Sequence, residues 1–124
     1  KFIEFDNKYK YTPLATIIVQ PNAYPEEADL LEVKDNTITD IYPKPRDNSK
    51  EYKNISNAAV YILDIDILNY INSNLPQDFG KDIFPMMLKK RFEILAYETD
   101  EILKDLGTPE KLEGVRNDYF KNTV

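Results

Sequence analysis

A chain with 22 acidic and 16 basic residues but no cysteine and no histidine has a narrow choice of chemistry. Thiol nucleophiles, imidazole bases, disulfides and the usual zinc ligands are excluded together, so any metal must be a hard cation held by oxygen. The carboxylates to weigh are Asp105, in the stretch YETDEILKDLGTPEKLEGVRNDYF from Tyr97 to Phe120, and the pair Asp64 and Asp66 in ILDID. Asp105 stands between a strand-like segment and a Gly-Thr-Pro stop, ahead of an amphipathic helix. Strand ends that face helix starts are where α/β proteins bind ligands. Local sequence leaves open whether Asp105 holds a metal or is an acidic residue favoured by the helix macrodipole. Asp64 and Asp66 read as the start of a helix, one of them a cap. Gly80, Gly107 and Gly114 lie far apart in the chain, so no phosphate-cradling loop can be built from them.

The elements that must position these residues follow from hydrophobic pattern. LATIIVQ, Leu14 to Gln20, is a short β-branched run expected as a central parallel strand buried on both faces. DLLEVKDNTITDIYP predicts a hairpin hinged on Asp35-Asn36 at a sheet edge. The polar segment from Lys44 to Asn54 predicts a mobile surface loop, and Glu26, Glu27, Arg46 and Lys50 read as solvated charges. NAAVYILD, Asn57 to Asp64, predicts a second buried strand that feeds a helix with Ile67, Leu68 and Ile71 on one face. In PQDFGKDIFPMMLKKR, Phe84, Met87 and Leu88 point inward on a helix bent near Pro85. FEILAYE and EILKDL predict further strands, and the last helix has Thr108 as N-cap, Pro109 at its first position and Leu112, Val115 and Tyr119 on one face.

At 124 residues and 42% hydrophobic content the chain matches one domain in size. Its formal charge of -6 offers no basic stripe, which argues against nucleic acid. Apolar runs such as LATIIV and AAVYIL fall far short of the roughly 20 residues that cross a bilayer, so a membrane is not expected and the reading is cytosolic. At the start, KFIEFDNKYKY sets Phe2, Phe5 and Tyr9 at helical spacing, as though a helix were entered from upstream, and the chain is expected to belong to a longer polypeptide.

Three stretches in order, NAAVYIL (Asn57 to Leu63), DFGKDIFP (Asp78 to Pro85) and KDLGTPE (Lys104 to Glu110), resemble the C-terminal half of bacterial sugar-1-phosphate nucleotidyltransferases. VQPNAYPEEADLLEV and YPKP bring it nearest to the mannose-1-phosphate and D-glycero-D-manno-heptose-1-phosphate guanylyltransferases, which would use GTP. The resemblance spans nearly the whole chain and implies an α/β, Rossmann-like fold with a mixed, mainly parallel sheet flanked by helices. On it, residues 1–124 are the sugar-phosphate-binding part of a nucleotidyltransferase domain. The NTP-binding part, with its Gly-rich loop and a second metal-binding Asp, would lie upstream, so this chain alone would be inactive. NTP and sugar 1-phosphate are the implied partners, Mg²⁺ the implied cofactor, and a homo-oligomer is compatible with it.

The resemblance assigns Asp105 to the metal and Lys44, in PKP, to the sugar phosphate. Asn57 and Ala58 open the motif whose amide and backbone meet the sugar, and Gly80 and Lys81 lie where relatives shape the sugar pocket. Two departures stand out. Pro43 occupies a position where many relatives carry a glutamate that touches sugar hydroxyls, and Ala59 replaces a glycine. Nucleotidyl transfer asks for positioning and charge neutralisation more than for a protein nucleophile, which a chain without histidine can supply. The alternatives are a related metal-dependent glycosyltransferase and a catalytically dead regulatory or assembly module.

Overall fold

In the computed structural model the described residues are 1–6, 13–47 and 49–123. The expected helical register of Tyr9 therefore lies outside them. Five strands, β1 (Ala15–Gln20), β2 (Leu30–Lys34), β3 (Thr37–Tyr42), β4 (Ser56–Leu63) and β5 (Ile94–Glu98), close on themselves in the order β1-β4-β2-β3-β5. Helices α1 (Phe2–Asp6), α2 (Phe84–Lys89) and α3 (Pro109–Thr123) flank them, giving the expected α/β class with a mixed sheet. The sheet is mixed but mainly antiparallel among the described residues, not mainly parallel as expected: β1 pairs with β5 in parallel, while β1–β4, β2–β3, β2–β4 and β3–β5 are antiparallel, because the β2–β3 hairpin and the return of β4 along β1 reverse the chain.

β1 is central as its run of apolar residues requires, with every residue from Ala15 to Val19 buried between β4 and β5. Its side chains meet Leu31, Ile38, Ile67, Ile83, Phe84, Met87, Ile94 and Ala96 in one core, where each large apolar side chain contributes about 1.5–3 kcal/mol. Thr16, the buried polar exception, donates its hydroxyl to the Asp6 carboxylate at the end of α1. The aromatic rings of Phe2 and Phe5 lie 5.4 and 5.2 Å from Tyr97 and so hold α1 against β5.

The β2–β3 hairpin turns on Asp35 and Asn36, whose φ angles of 51° and 61° give the mirror-type turn that matches strand twist. It is not a free edge, because single pairs, Leu30 with Ser56 and Thr37 with Leu95, join it on both sides. β4 is less buried than its composition suggests: only Ser56 is fully buried, and Ala59 and Val60 face solvent. The cause is a bulge. Ile17 pairs with Tyr61 and Val19 with Asn57, so Ala58, Ala59 and Val60 oppose a single residue of β1.

Ile65–Tyr70 forms a 3₁₀ helix, not the α-helix its spacing implied, so Ile67 is buried while Leu68 stays 57% exposed. Asp64 caps it by accepting from the Asp66 amide, as expected. The bend expected near Pro85 is instead a π-helical turn over Phe79–Ile83, and Pro85 sits harmlessly in the first turn of α2. Phe84 and Met87 are fully buried and Leu88 partly so. EILKDL is no strand: no strand pairs with Glu101–Leu106 among the described residues, and all six are exposed.

Candidate functional site

One groove of about 1350 Å³ runs past the C-terminal end of β1. Its walls are the loop from Gln20 to Asp29 with Lys44 on one side and Leu103 to Asp118 on the other, and its floor is the bulged start of β4 with Asp78 to Lys81. The residues that the resemblance assigned to the site, Lys44, Asn57, Ala58, Gly80, Lys81 and Asp105, all line it, and Asp64 and Asp66 do not. A smaller cleft of about 390 Å³, between Lys1, Pro21 and Tyr97–Glu101, holds none of them.

The near wall is built by polar ties. Asn54 accepts from the Asn22 amide at 3.0 Å and donates to the Asn22 carbonyl at 2.8 Å. Arg46 is half-buried, not solvated as its loop composition suggested. Its guanidinium donates to the carbonyls of Pro25, Ala28 and Tyr42 and lies 5.8 Å from the Tyr52 ring centre. A fork of donors can hold several carbonyls at once, which a lysine could not do in this geometry. Lys44 is thereby set at the rim, its amide donating to Asp29 Oδ1 at 3.1 Å and its Nζ to the Glu27 carbonyl at 2.6 Å.

On the floor, Asn57 Oδ1 accepts from the Ala59 amide at 2.8 Å, a tight turn that holds Ala59 at φ 57°. The departure from glycine noted in the sequence therefore falls on a left-handed residue. Asn57 Nδ2 donates to the Tyr61 hydroxyl at 3.2 Å, and burial pushes the Tyr61 phenol up, with Asp78 and Asp29 adding to the rise. Gly80 closes against these groups. A Cβ there would lie 3.3 Å from Asp78 Oδ1, 3.7 Å from Asn57 Nδ2 and 3.8 Å from Asp29 Oδ2. Asp78 caps the π turn through the Lys81 amide at 2.9 Å, which leaves the Lys81 side chain exposed at the rim.

On the far wall Thr108 Oγ1 accepts from the Lys111 amide at 3.2 Å, the expected cap of α3, with Pro109 at the first helical position. This start brings Lys111 Nζ to 2.6 Å from Asp105 Oδ2, while Asp105 Oδ1 accepts from the Gly107 amide at 2.8 Å. Lys111 and the Gly107 amide hold the Asp105 carboxyl below the usual aspartate range, so it is ionised and presented to the groove. As a metal ligand it would stand nearly alone, since no group of three or more carboxylates gathers among the described residues. Mg²⁺ binds through one or two carboxylates plus substrate phosphates and water, so a single carboxylate suffices in number, but Lys111 would have to release Asp105 Oδ2 for it to serve.

Asp29, Tyr61, Asp78 and Lys111 were not singled out from the sequence. The hairpin register could have found Asp29: Leu30 pairs with Tyr42, so Asp29 comes opposite Pro43 and beside Lys44. Tyr61 follows Asn57 by four residues, and only the bulge brings the two side chains together.

Comparison with known proteins bears on the family and the fold. The sequence model of the family described as nucleotidyl transferase matches residues 1–122. Glucose-1-phosphate adenylyltransferase of Halalkalibacterium halodurans is 35% identical over 78 residues, 58% of this chain and 20% of that protein. The enzyme of the same name from Bacillus subtilis is 31% identical over 93 residues, 70% of this chain and 24% of that protein. The crystal structure of apo UDP-glucose pyrophosphorylase superposes with a TM-score of 0.74 at 19% identity, over 98% of this chain and 47% of that one. The chain thus spans a fifth to a quarter of these curated relatives and about half of the solved structure.

Proposed function

Because this chain belongs to the nucleotidyl transferase family, we propose that the intact protein transfers a nucleoside monophosphate from an NTP to a sugar 1-phosphate with release of pyrophosphate, and that residues 1–124 supply its sugar-phosphate side. The observation that carries this reading is the convergence of Lys44, Asn57, Ala58, Gly80, Lys81 and Asp105 on one groove although they are spread over some sixty residues of sequence.

The chemistry assigned to each follows from its setting. Lys44 offers a compact positive charge at the rim, suited to a phosphate as a point charge. Asn57 and the exposed backbone of the β4 bulge offer amide contacts to sugar hydroxyls, and Gly80 leaves room for a ring to approach. Asp105 would hold Mg²⁺, which when bound neutralises phosphate charge as the sugar-phosphate oxygen attacks the α-phosphorus. Lys111, paired with Asp105, keeps that carboxylate ionised and oriented.

The GTP reading prompted by VQPNAYPEEADLLEV and YPKP is not supported by the two curated relatives, which are named for adenylyl transfer. Pyrophosphate release by the intact protein, measured with ATP, GTP, UTP and dTTP against hexose and heptose 1-phosphates, tests both levels. Activity with any pair upholds the reaction and the preferred NTP fixes the base. Absence of pyrophosphate release with every pair refutes the reading, and Asp105→Asn is expected to lower turnover far more than it weakens folding.

A further inference from the structure

We propose that Asp29 is the carboxylate that reads a sugar hydroxyl in this groove and so helps set which sugar 1-phosphate is taken. This rests on the reading under Proposed function and deepens it. Asp29 is half-buried at the entry to β2, one residue beyond the Leu30–Tyr42 pair. Its two oxygens are in different situations. Oδ1 accepts from the Lys44 amide at 3.1 Å, whereas Oδ2 has no hydrogen-bond partner among the described residues and lies 3.8 Å from the Cβ position of Gly80.

Around that free acceptor the groove offers complementary groups. The Tyr61 hydroxyl accepts from Asn57 Nδ2 at 3.2 Å, which leaves its own proton to donate. The Cβ position of Gly80 links the two sides, 3.8 Å from Asp29 Oδ2 and 3.7 Å from the Asn57 Nδ2 that bonds Tyr61. A carboxylate oxygen and a phenol proton, beside a glycine that keeps the space open, are an acceptor and a donor for one hydroxyl-bearing carbon framework. Lys44, tied to the same Asp29, stands ready for the phosphate of that molecule. Oδ2 is open to the groove and not sealed in the interior, so a hydroxyl donor can replace water there and bond directly to the carboxylate.

Asp29→Asn separates this role from a structural one. Asparagine keeps Oδ1 for the Lys44 amide and turns the free acceptor into a donor, while Asp29→Ala removes both. In the intact protein, kcat and KM would be measured for glucose 1-phosphate and its 2-, 3-, 4- and 6-deoxy forms, with mannose 1-phosphate beside them. Asp29→Asn is expected to raise KM for the preferred sugar on the order of 10–100-fold, the range for a charged hydrogen bond. For one deoxy form, lacking the hydroxyl concerned, wild type and variant should agree within about threefold, the signature of a shared interaction. If Asp29→Asn matches wild type on every sugar while Asp29→Ala is impaired, Asp29 serves only the Lys44 backbone and the proposal is wrong. An equal loss on every deoxy form also overturns it. Should wild type release no pyrophosphate, the functional reading fails by itself. Calorimetry with glucose 1-phosphate then decides for Asp29: weaker binding by Asp29→Asn supports the proposal, and equal binding or none by wild type overturns it.

Discussion

Replacing Ala59 by glycine should stabilise the protein, although glycine inside a strand ordinarily does the reverse. Ala59 sits at φ 57° in the β4 bulge, held there by the bond from its amide to Asn57 Oδ1 at 2.8 Å. An L-residue in that conformation carries a cost of about 1–2 kcal/mol that glycine does not. Glycine widens the unfolded ensemble and so gives back about 0.4–1 kcal/mol. The Ala59 side chain is exposed, so losing its methyl opens no cavity and adds no packing term. The difference is a gain between about 0 and 1.6 kcal/mol, centred near 0.8, or a rise in Tm of about 3 °C for a chain this size. Urea unfolding followed by circular dichroism, with the m value unchanged, measures it. An ordinary strand position would lose about 0.5–1 kcal/mol on the same change. A loss of that size would refute the left-handed assignment, and with it the turn that aims Asn57 into the groove.

Other outcomes follow from the same geometry. Arg91, at φ 61° just past α2, obeys the same rule, so Arg91→Gly should gain up to about 1 kcal/mol in the same assay. Met87→Ala should cost about 2–5 kcal/mol, because Met87 is wholly enclosed in the core; a cost below about 1 kcal/mol in urea unfolding would contradict its packing. The Tyr61 phenol titrates above its usual 10.0, chiefly through burial, so the folded state holds that proton more tightly than the unfolded one. Its contribution is complete below pH 10.0 and is lost as pH rises from there through the folded value; Tyr61→Phe should abolish that part of the alkaline loss, read from stability against pH for the two proteins. On the proposed function, Lys44→Ala in the intact protein should raise KM for sugar 1-phosphate, lowering kcat/KM by about 1.5–3 kcal/mol with the NTP KM nearly unchanged; equal weakening of both substrates would remove Lys44 from the phosphate.

Much of the scaffold was legible because local signals and tertiary demands agree there. The apolar run of β1, the Asp35-Asn36 turn and the Thr108-Pro109 start of α3 each specify one conformation. The failures are places where a neighbour decides. EILKDL has the composition of a strand but, among the described residues, no strand beside it to complete its ladder, so it runs exposed between β5 and α3. Residues 65–70 have helical spacing, yet the path back to the barrel draws them into a tighter 3₁₀ coil that buries Ile67 alone. The candidate site divides the same way. Lys44, Asn57, Gly80 and Asp105 were reachable through motif stretches, whereas Asp29 and Arg46 meet partners distant in sequence, and Lys111 reaches Asp105 only through the turn at Gly107 and the start of α3.

The two walls of the groove are held by forces of different strength, and this bears on how a charged ligand would enter. Arg46 joins the near wall to the hairpin through three carbonyls in a half-buried setting, where each hydrogen bond is expensive to lose. The far wall leans on Leu112 and Val115, which are only half-buried, and on exposed ion pairs, Lys111 with Asp105 and Lys104 with Asp118 at 3.3 Å. Exposed pairs contribute at most about 1 kcal/mol and weaken with salt. Lys111 also feels the Glu27 carboxylate of the opposite wall, which raises its affinity for its proton after the larger effect of Asp105. An anionic phosphate placed between the walls would meet Lys44 on the rigid side and Lys111 on the yielding side. Lys44 keeps its place through its backbone bond to Asp29 even when Nζ leaves the Glu27 carbonyl, and Lys111 can turn from Asp105 at little cost. Releasing Asp105 in that exchange would free a carboxylate oxygen at the moment a phosphate arrives, and on the function proposed above that oxygen would be the one offered to Mg²⁺.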